Sequence, residues 1–235
     1  MSRIVATIGL HGSASTWVYN VVRELLIAAH GEESVLGGYA DDMTRVPDEA
    51  ARAGRILVLK SHHGSAELDD WLLAQGATLI LSVRDPRDCA LSMHQRFGSP
   101  LAAAARWIGN DCARMMKLAT EGRPLLVYET RFFEDRLVPR RLALALGLQL
   151  QVAVMDTIFA RYEAAAVREL MAKIPHLPDD RRGIVANATL DLLTQYLTVH
   201  LGDASSGKFL SLPQQARDEM ARFYAPFLAR FGYVG

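Results

Sequence analysis

Residues 8–17, "IGLHGSASTW", join an apolar run to the start of a helical pattern. Residues 12–16 are small or carry hydroxyls, and apolar residues then repeat at helical spacing at Val18, Val21, Val22, Leu25, Leu26 and Ala29. A helix that starts directly after a strand presents unpaired backbone N–H groups and the positive end of its dipole. The stretch therefore predicts an anion-binding loop; the alternative is that its serines and threonine only cap the helix.

Three further runs predict strands of the same sheet: "RILVLKSH" at 55–62, "ATLILSVRD" at 77–85 and "PLLVYET" at 124–130. Nearly continuous apolar runs suit strands that are covered on both faces of a parallel sheet. Asp85 and Pro86 predict the start of a helix after the second of these runs. We therefore expect a three-layer α/β fold with a central parallel sheet of four to five strands flanked by helices. It would be a P-loop-like, nucleotide-binding fold with a mostly helical C-terminal half.

Composition narrows the function classes. Half of the 235 residues are hydrophobic, and 26 basic residues balance 26 acidic ones. This predicts one domain over 1–235 and gives no bulk charge to attract nucleic acid. No apolar run approaches the ~20 residues that span a bilayer, and the N-terminal residues read as a strand, so we expect a cytoplasmic protein without a membrane span. Neither the two cysteines nor the later histidines have metal-ligand spacing, so we expect buried thiols and no metal.

Side chains that carry chemistry follow two of the predicted strands. Lys60 and His62 end one run, Arg84 ends the next, and Ser92 follows Arg84 by two helical turns. Ligands of open α/β sheets bind at the carboxyl ends of the strands. These residues therefore converge with the first loop at one sheet edge, which predicts a site for an anionic ligand.

At these residues the sequence resembles the sulfotransferases that use 3'-phosphoadenosine-5'-phosphosulfate (PAPS). The family's first loop, Pro-Lys-Ser-Gly-Thr-Thr-Trp, is matched by "HGSASTW", and its Lys-x-His by Lys60-Ser61-His62. Its arginine with a serine eight positions later is matched by Arg84 and Ser92, and "VYET" and "HLGDASSGKF" are similar to further segments. The resemblance reaches from residue 8 to residue 208. It implies sulfuryl transfer from PAPS, without a metal, to a hydroxyl or amine of a small-molecule acceptor, which leaves adenosine 3',5'-bisphosphate.

The resemblance also implies which residues bind the cofactor. Backbone and hydroxyl groups of the loop would hold the 5'-phosphosulfate, an aromatic pair would touch the adenine, and an arginine fork with a serine and a lysine would bind the 3'-phosphate. The residues concerned are Gly12, Ser13, Ala14, Ser15, Thr16, Trp17, Arg84, Ser92, Tyr128 and Lys208.

The implied general base is His62, because an unperturbed pKa near ~6.5 suits proton removal at neutral pH. Lys60 would lie against the transferring group. The family's loop lysine has no counterpart, because Gly12 stands at its position. Lys60, Lys208 or His11 then supplies the missing cation, or the chain binds nucleotide without catalysis. We favour replacement by another cation, because Lys60 and His62 are both present.

Two other function classes stay open. A nucleotide kinase-like phosphotransferase would need the glycine-lysine-hydroxyl triplet and a magnesium carboxylate at a strand end, and Asp85 is better read as a helix cap. A non-catalytic nucleotide-binding module is the third class, because of Gly12.

The acceptor is expected to lie against residues 31–50, 93–107 and 150–185. Residues 31–50 and 173–187 are rich in Gly, Pro, Asp and Arg and are expected outside the core. The acidic residues of the first stretch, Asp41 among them, either face the acceptor or are only solvated. We expect Trp71 and Trp107 in the core, and His63 as a polar surface residue. The amphipathic "EMARFYAPFLARFGY" is expected to pack on this core, with a homodimer as the alternative.

Overall fold

A computed structural model describes residues 3–200 and 204–233 of the chain. Within these residues the central sheet consists of parallel strands, Ile4–Gly9 (β1), Val35–Tyr39 (β2), Ile56–Ser61 (β3), Thr78–Val83 (β4) and Leu125–Val127 (β5). Their order is β2-β3-β1-β4-β5, with Val5 of β1 opposite Val58 and Thr78 of its neighbours. β1 therefore lies in the middle, and the carboxyl ends of β3, β1 and β4 are adjacent.

Helices cover both faces of this sheet. In chain order they are Ser15–His30 (α1), Glu49–Arg52 (α2), Ala66–Ala74 (α3), Pro86–Phe97 (α4), Leu101–Leu118 (α5), Val138–Ala145 (α6), Val152–Arg161 (α7), Ala164–Lys173 (α8), Gln214–Phe223 (α9) and Ala225–Phe231 (α10). Successive residues of β1 point to opposite faces. Val5 packs in a core with α1 and α6–α8, whereas Ala6 and Ile8 pack in a second core with α3–α5, α9 and α10. The predicted three-layer α/β fold is confirmed.

The strand β2 was missed by the sequence prediction, which placed residues 31–50 outside the core. Its glycines read as loop residues, but Gly37 serves close packing against α1. A Cβ at Gly37 would lie 2.4 Å from the hydroxyl of Tyr19 and 3.1 Å from the side chain of Arg23. The stretch 173–187 likewise contributes a strand, Arg182–Val185 (β6), which pairs with Ala188–Asp191 (β7) in a separate antiparallel hairpin.

The amphipathic C-terminal stretch packs on the chain's own core, as expected. Tyr224 donates its hydroxyl to the carbonyl of Ala105 on α5 at 2.8 Å, and Phe227 and Leu228 are buried. Cys89 and Cys112 are buried thiols, as predicted, and burial raises the pKa of both. No helix among the described residues is long and apolar enough to cross a membrane.

Candidate active site

The loop between β1 and α1 has a backbone that small residues adopt. Gly12 has a φ of +84° and Ala14 a φ of +60°, both in the left-handed region. Ala14 precedes α1, and no side chain of the described residues caps this helix. Ser15 and Thr16 open the helix and are buried. The N–H groups of the first turn therefore lack a side-chain partner, which favours anion binding over the capping alternative.

Ser13 shapes this loop from within. It donates its backbone N–H and its hydroxyl to the carbonyl of Leu10 at 3.0 and 2.7 Å, and its Oγ lies 2.9 Å from Ser82 Oγ. Gly9 leaves room for this contact, because a Cβ there would lie 2.1 Å from Ser82 Oγ. The part of Ser13 in phosphate binding stays a prediction.

Trp17 lies inside the α1 face of the core. Its indole N–H donates to the carbonyl of Tyr162 at 3.0 Å, and its ring packs edge-on against Phe132 and Phe159. These contacts fix α1, and with it the loop, on the sheet. The predicted contact of Trp17 with adenine stays a prediction.

The loop after β3 sets His62 in one orientation. Its Nδ1 lies 2.6 Å from the carbonyl of Gly9, and because a carbonyl only accepts, Nδ1 carries the proton. Its Nε2 keeps the lone pair and lies 2.7 Å from Nζ of Lys60, which donates to it. Burial, with the neighbouring charges of His11 and Lys60, holds the pKa of His62 well below its usual value. At neutral pH His62 is therefore an uncharged imidazole with a basic Nε2.

Lys60 is buried at the end of β3 beside His62. Its ammonium lies 5.1 Å from the centre of the Tyr39 ring. Burial lowers the pKa of Lys60 to about 8, although the carboxylates of Asp41 and Asp111 act in the opposite direction. Lys60 is thus a cation at neutral pH that loses its proton more readily than an exposed lysine.

Asp41 anchors this loop, a role that the sequence analysis assigned to none of the acidic residues of 31–50. It accepts from Ser61 Oγ and from the backbone N–H of His62, both at 2.8 Å, and from the hydroxyl of Tyr39. Although burial favours the neutral acid, these hydrogen bonds keep the pKa of Asp41 below its usual value. Sequence reasoning missed this role because Ser61 and His62 lie about 20 positions from Asp41 in the chain.

Arg114 on α5 holds the same loop from the other side. It donates to Ser61 Oγ at 2.6 Å and to the carbonyl of His62 at 2.9 Å, and it forms a two-point ion pair with Asp69 at 2.9 and 2.7 Å. Gly64 lets the guanidinium approach, because a Cβ there would lie 1.9 Å from Arg114 Cζ. The segment 60–64 is therefore fixed by charged partners on both sides.

The histidines His11, His62 and His63 cluster at this edge of the sheet, and one carboxylate contacts two of them. His11 Nδ1 lies 2.7 Å from Asp111 Oδ2, and its backbone N–H donates to the same oxygen at 2.9 Å. His63 Nδ1 lies 2.7 Å from Asp111 Oδ1, with poor alignment for a hydrogen bond. The rings of His11 and His62 stack with 3.8 Å between centres. Although burial favours the neutral acid, the hydrogen-bonded His11 and the neighbouring His63 hold the pKa of Asp111 at about 2.

Trp107 lies at the mouth of this cluster, and the expectation that it belongs to the core is wrong. Its side chain is 49% exposed, and its ring lies edge-on to His63 and His11, with 4.3 and 5.9 Å between centres. It precedes Asp111 by one turn of α5, so this stripe of the helix faces the loop after β3. His63 faces Asp111 and is not the surface residue that the sequence suggested. Trp71 packs on the core, as expected.

The histidine cluster contains one group of metal-ligand type within the described residues. His11, His62 and Asp111 bring donor atoms within 4.8 Å of one another. However, the Lys60 ammonium lies 2.7 Å from His62 Nε2 and would repel a divalent cation, and Asp111 already accepts from His11. This arrangement favours a hydrogen-bonded network, and the absence of a metal stays a prediction.

Arg84 forms the other side of the edge. It donates to the carbonyl of Gly12 at 3.0 Å and to that of Ser205 at 2.8 Å, and its guanidinium lies 4.1 Å from the centre of the Tyr128 ring. The side chain is buried, yet its Nε has no hydrogen-bond partner among the described residues. A buried donor without a partner is costly, so this nitrogen favours a bound acceptor.

The segment 204–211 lies across the start of α4. Asp88 accepts from the backbone N–H groups of Gly207 and Phe209 at 2.7 and 3.0 Å, and the guanidinium of Arg87 lies 3.9 Å from the centre of the Phe209 ring. Lys208 is therefore brought to the Arg84 side of the site. Residues 201–203 of the predicted closing segment lie outside the described residues.

Ser92 follows Arg84 along α4, and beside it is a cation that sequence reasoning missed. Arg96 donates to Ser92 Oγ at 3.3 Å. Burial and the charge of Arg84 lower the pKa of Arg96, and Arg96 adds to the lowering that burial causes at Lys60. The charge of Arg96 therefore acts on Lys60, on the other side of the edge. The sequence signal that could have identified Arg96 is its position four residues after Ser92, which places both on the same face of α4.

Sequence comparison alone gives no relative: no protein-family model and no curated protein matches the chain. Solved structures do match. The crystal structure of mouse sulfotransferase SULT7A1 complexed with PAP has a TM-score of 0.68 at 12% identity, over 97% of this chain and 85% of that one. Retinol dehydratase with androsterone and inactive cofactor PAP gives 0.61 at 12% identity, over 96% and 80%. Its complex with retinol and PAP gives 0.58 at 12% identity, over 96% and 81%.

This chain has the sulfotransferase fold. The resemblance drawn from short motifs is therefore confirmed for the fold. Within this sulfotransferase fold, the first loop, the Lys60–His62 pair and Arg84 lie at the ends of β1, β3 and β4, so the convergence predicted from strand ends is also confirmed.

Proposed function

We propose that the chain is a sulfotransferase that moves a sulfuryl group from PAPS to a hydroxyl or amine of a small-molecule acceptor. The observation that carries this proposal is His62, whose Nε2 lone pair is fixed by the Nδ1 contact with Gly9 and adjoins the ammonium of Lys60. A base beside a cation suits a transfer that removes a proton while negative charge spreads over the transferring group. The match to structures that contain PAP supports the same reaction.

The residues at the loop and at Arg84 fit a nucleotide with an anionic group at each end of its ribose. PAP is adenosine 3',5'-bisphosphate. The N–H groups at the start of α1, with Ser15 and Thr16, would hold the 5' group. The 3'-phosphate would accept from the buried Nε of Arg84, which has no partner among the described residues. The remaining contacts of this subsite would come from Ser92, Lys208 and, towards the adenine, Tyr128.

When bound, PAPS supplies the sulfuryl group: an acceptor oxygen–sulfur bond forms as the bond from sulfur to the 5'-phosphate oxygen breaks, and the electron pair leaves with adenosine 3',5'-bisphosphate. Nε2 of His62 takes the acceptor proton, a contribution typically worth ~10²–10⁴-fold. Because Lys60 donates to this nitrogen, the acceptor hydroxyl has to replace Lys60 there. The displaced ammonium then turns to the sulfuryl oxygens, where it stabilises their charge.

The acceptor would enter past Trp107. This half-exposed ring beside His63 offers an aromatic surface next to polar nitrogens. Matched structures of retinol dehydratase contain androsterone or retinol. We propose an acceptor that packs an apolar ring on Trp107 and places its hydroxyl or amine at His62.

The other two classes are less well supported. A kinase needs a carboxylate for Mg²⁺ near the phosphates. At this edge Asp85 accepts from the backbone N–H of Arg87 at 2.9 Å, and Asp88 holds the segment 204–211, so both carboxylates have other partners. Burial of the Lys60 ammonium against His62 costs desolvation free energy, and nucleotide binding without catalysis does not require this pair.

A transfer assay tests the proposal. The wild-type chain is incubated with PAPS and a panel of phenols, alcohols, sugars and amines, and adenosine 3',5'-bisphosphate and the sulfated product are measured together. The proposal predicts equal amounts of both with at least one acceptor class. Release of inorganic sulfate without a sulfated acceptor, or transfer from ATP with magnesium instead, contradicts it.

A further inference from the structure

Asp111 is a buried ionised group that the reaction as derived above does not use. Its side chain is 1% exposed, and it lies on α5 with one oxygen towards His11 and the other towards His63. The histidine side chains are 18% and 25% exposed, so they lie between the buried carboxylate and solvent. Burying a charge this deeply costs desolvation free energy unless nearby groups compensate for it. The role of Asp111 therefore lies in its two histidine neighbours.

The carboxylate fixes the proton positions on His11. An ionised carboxylate only accepts, so the Nδ1 that lies 2.7 Å from it carries a proton. The backbone N–H of His11 donates to the same oxygen, which locks the ring against rotation. Nε2 of His11 makes no hydrogen bond within the part of the chain that the structure describes. That nitrogen is therefore the one turned to a ligand.

The proposed leaving group needs a positive neighbour that the loop does not supply. Residues 12–16 carry no charged side chain, and the φ of +84° at Gly12 disfavours a lysine there. Lys60 donates to His62. His11 directly precedes the loop, and its ring stacks on that of His62, so it lies between the base and the loop.

We infer that His11 is a second catalytic residue and that Asp111 is the residue that positions it. The inference rests on the proposed function. As the sulfur–oxygen bond breaks, the His11 imidazolium donates from Nε2 to the 5'-phosphate oxygen that receives the electron pair, and it keeps its proton. The proton of the acceptor goes to His62. Asp111 stabilises the imidazolium through Nδ1–H.

Nucleotide binding tests the contact with the 5'-phosphate. His11→Gln keeps a polar side chain at a partly exposed position but removes the charge. Calorimetry compares adenosine 3',5'-bisphosphate with adenosine 3'-phosphate, which lacks the 5' group. We expect the affinity of the variant for the bisphosphate to fall by about tenfold or more, as for loss of one charged hydrogen bond. Its affinity for the 3'-phosphate should fall by less than about twofold. Equal effects on both nucleotides overturn the inference.

Asp111→Asn tests the positioning role. The amide carbonyl oxygen of this variant still accepts from the backbone N–H and from Nδ1–H of His11, so the variant keeps the tautomer, but without the negative charge it no longer stabilises the imidazolium. Nitrogen-15 spectra of the histidine rings should show both ring nitrogens of His11 protonated in the wild type and only Nδ1 protonated in the variant. Transfer should fall by about 10²-fold or more. The matched control is Asp70→Asn, which removes an exposed carboxylate paired with Lys117 and should change neither reading.

The outcomes separate the two proposals. A wild type that binds neither nucleotide refutes the proposed function, and this inference with it. If the wild type binds the bisphosphate and transfers sulfuryl groups, the inference alone is contradicted by full activity of Asp111→Asn or by an unprotonated ring nitrogen at His11 of the wild type. If Asp111→Asn does not fold, His11→Gln and the wild-type ring spectra still decide it.

Discussion

The two sides of the sheet edge fix their cations by different means. Arg84 donates hydrogen bonds to the backbone carbonyls of Gly12 and Ser205 and lies on the face of Tyr128, with the Asp88 carboxylate farther off at 3.5 Å. The histidines on the opposite side are held by carboxylates, Asp41 for the loop of His62 and Asp111 for His11. Carbonyl groups do not titrate, whereas carboxylates fix protons on imidazoles. We therefore expect the Arg84 side to bind anions over a wide pH range and the His62 side to carry the proton chemistry.

The largest expected effect is on the histidine side. His62→Ala should lower transfer by about 10²–10⁴-fold, because it removes the general base. The affinity for adenosine 3',5'-bisphosphate should change by less than about threefold, since the proposed anion contacts lie elsewhere. Rates at saturating donor and calorimetry check the two parts. His176→Ala, at an exposed position, is the control, and near-normal turnover of His62→Ala refutes the role.

The next largest effect is the pH dependence of the transfer rate, which should come from the His62 side of the site and not from the Arg84 side. Lys60 faces Asp41, Asp111, His62, Arg96 and Tyr39, and its pKa is lowered to about 8. The Lys60 ammonium is charged below its pKa and loses its proton above it. The value of kcat/KM for the donor should therefore fall by up to about tenfold per pH unit above pH 8. Because the pKa of His62 is well below its usual value, no decline is expected near pH 6.5.

Lys60→Arg is the control for this profile. Arginine stays charged at all accessible pH values, so the variant should lose the alkaline decline even where its rate is lower. An alkaline decline that persists unchanged in Lys60→Arg assigns it to another group.

A smaller effect is expected at Arg96, which donates to Ser92 and whose charge adds to the effect of burial in lowering the pKa of Lys60. Arg96→Ala should lower the affinity for adenosine 3',5'-bisphosphate by about three- to tenfold at low salt. The loss should shrink as salt rises, because salt screens the attraction between Arg96 and the anion. Calorimetry at two salt concentrations measures it, with the exposed Arg222→Ala as the matched control. A loss that is independent of salt points to a change in packing instead.

The smallest effect concerns the loop that the two sides share. Ala14 adopts a left-handed conformation that costs an alanine about 1–2 kcal/mol. Ala14→Gly should raise the free energy of unfolding by about 0.5 kcal/mol. Glycine relieves the backbone strain, but it also raises the entropy of the unfolded chain, which offsets part of the gain. Ala29→Gly, in the exposed last turn of α1, should lower it by up to about 1 kcal/mol. Urea denaturation compares them, and destabilisation by Ala14→Gly contradicts the account of the loop.

The sheet was largely predictable from the sequence because its central strands are buried on both faces. β1, β3, β4 and β5 coincide with continuous apolar runs, and their carboxyl ends placed Lys60, His62 and Arg84 correctly. β2 was not predictable in this way, because it is an edge strand whose Gly37 makes room for Tyr19. A glycine that serves tertiary packing carries the same local signal as one in a turn.

The residues that support the site were mostly missed. Asp111 and Arg114 lie among the buried residues of α5, which are otherwise apolar, and two charges on that stripe were the available signal. Their partners, His11, His63 and Ser61, are 48 to 100 positions away in the chain, so no local spacing could pair them. Motifs identified the groups proposed to touch the nucleotide, whereas the groups that orient them depend on tertiary packing.

Calorimetry with adenosine 3',5'-bisphosphate, set against adenosine 5'-phosphate and ATP with magnesium, tests the central claim most directly when wild type and Arg84→Ala are compared. The account predicts micromolar binding of the bisphosphate by the wild type, with the preference over adenosine 5'-phosphate reduced by about tenfold or more in Arg84→Ala. Equal affinity for both adenosine phosphates, a preference for ATP with magnesium, or no binding at all contradicts it.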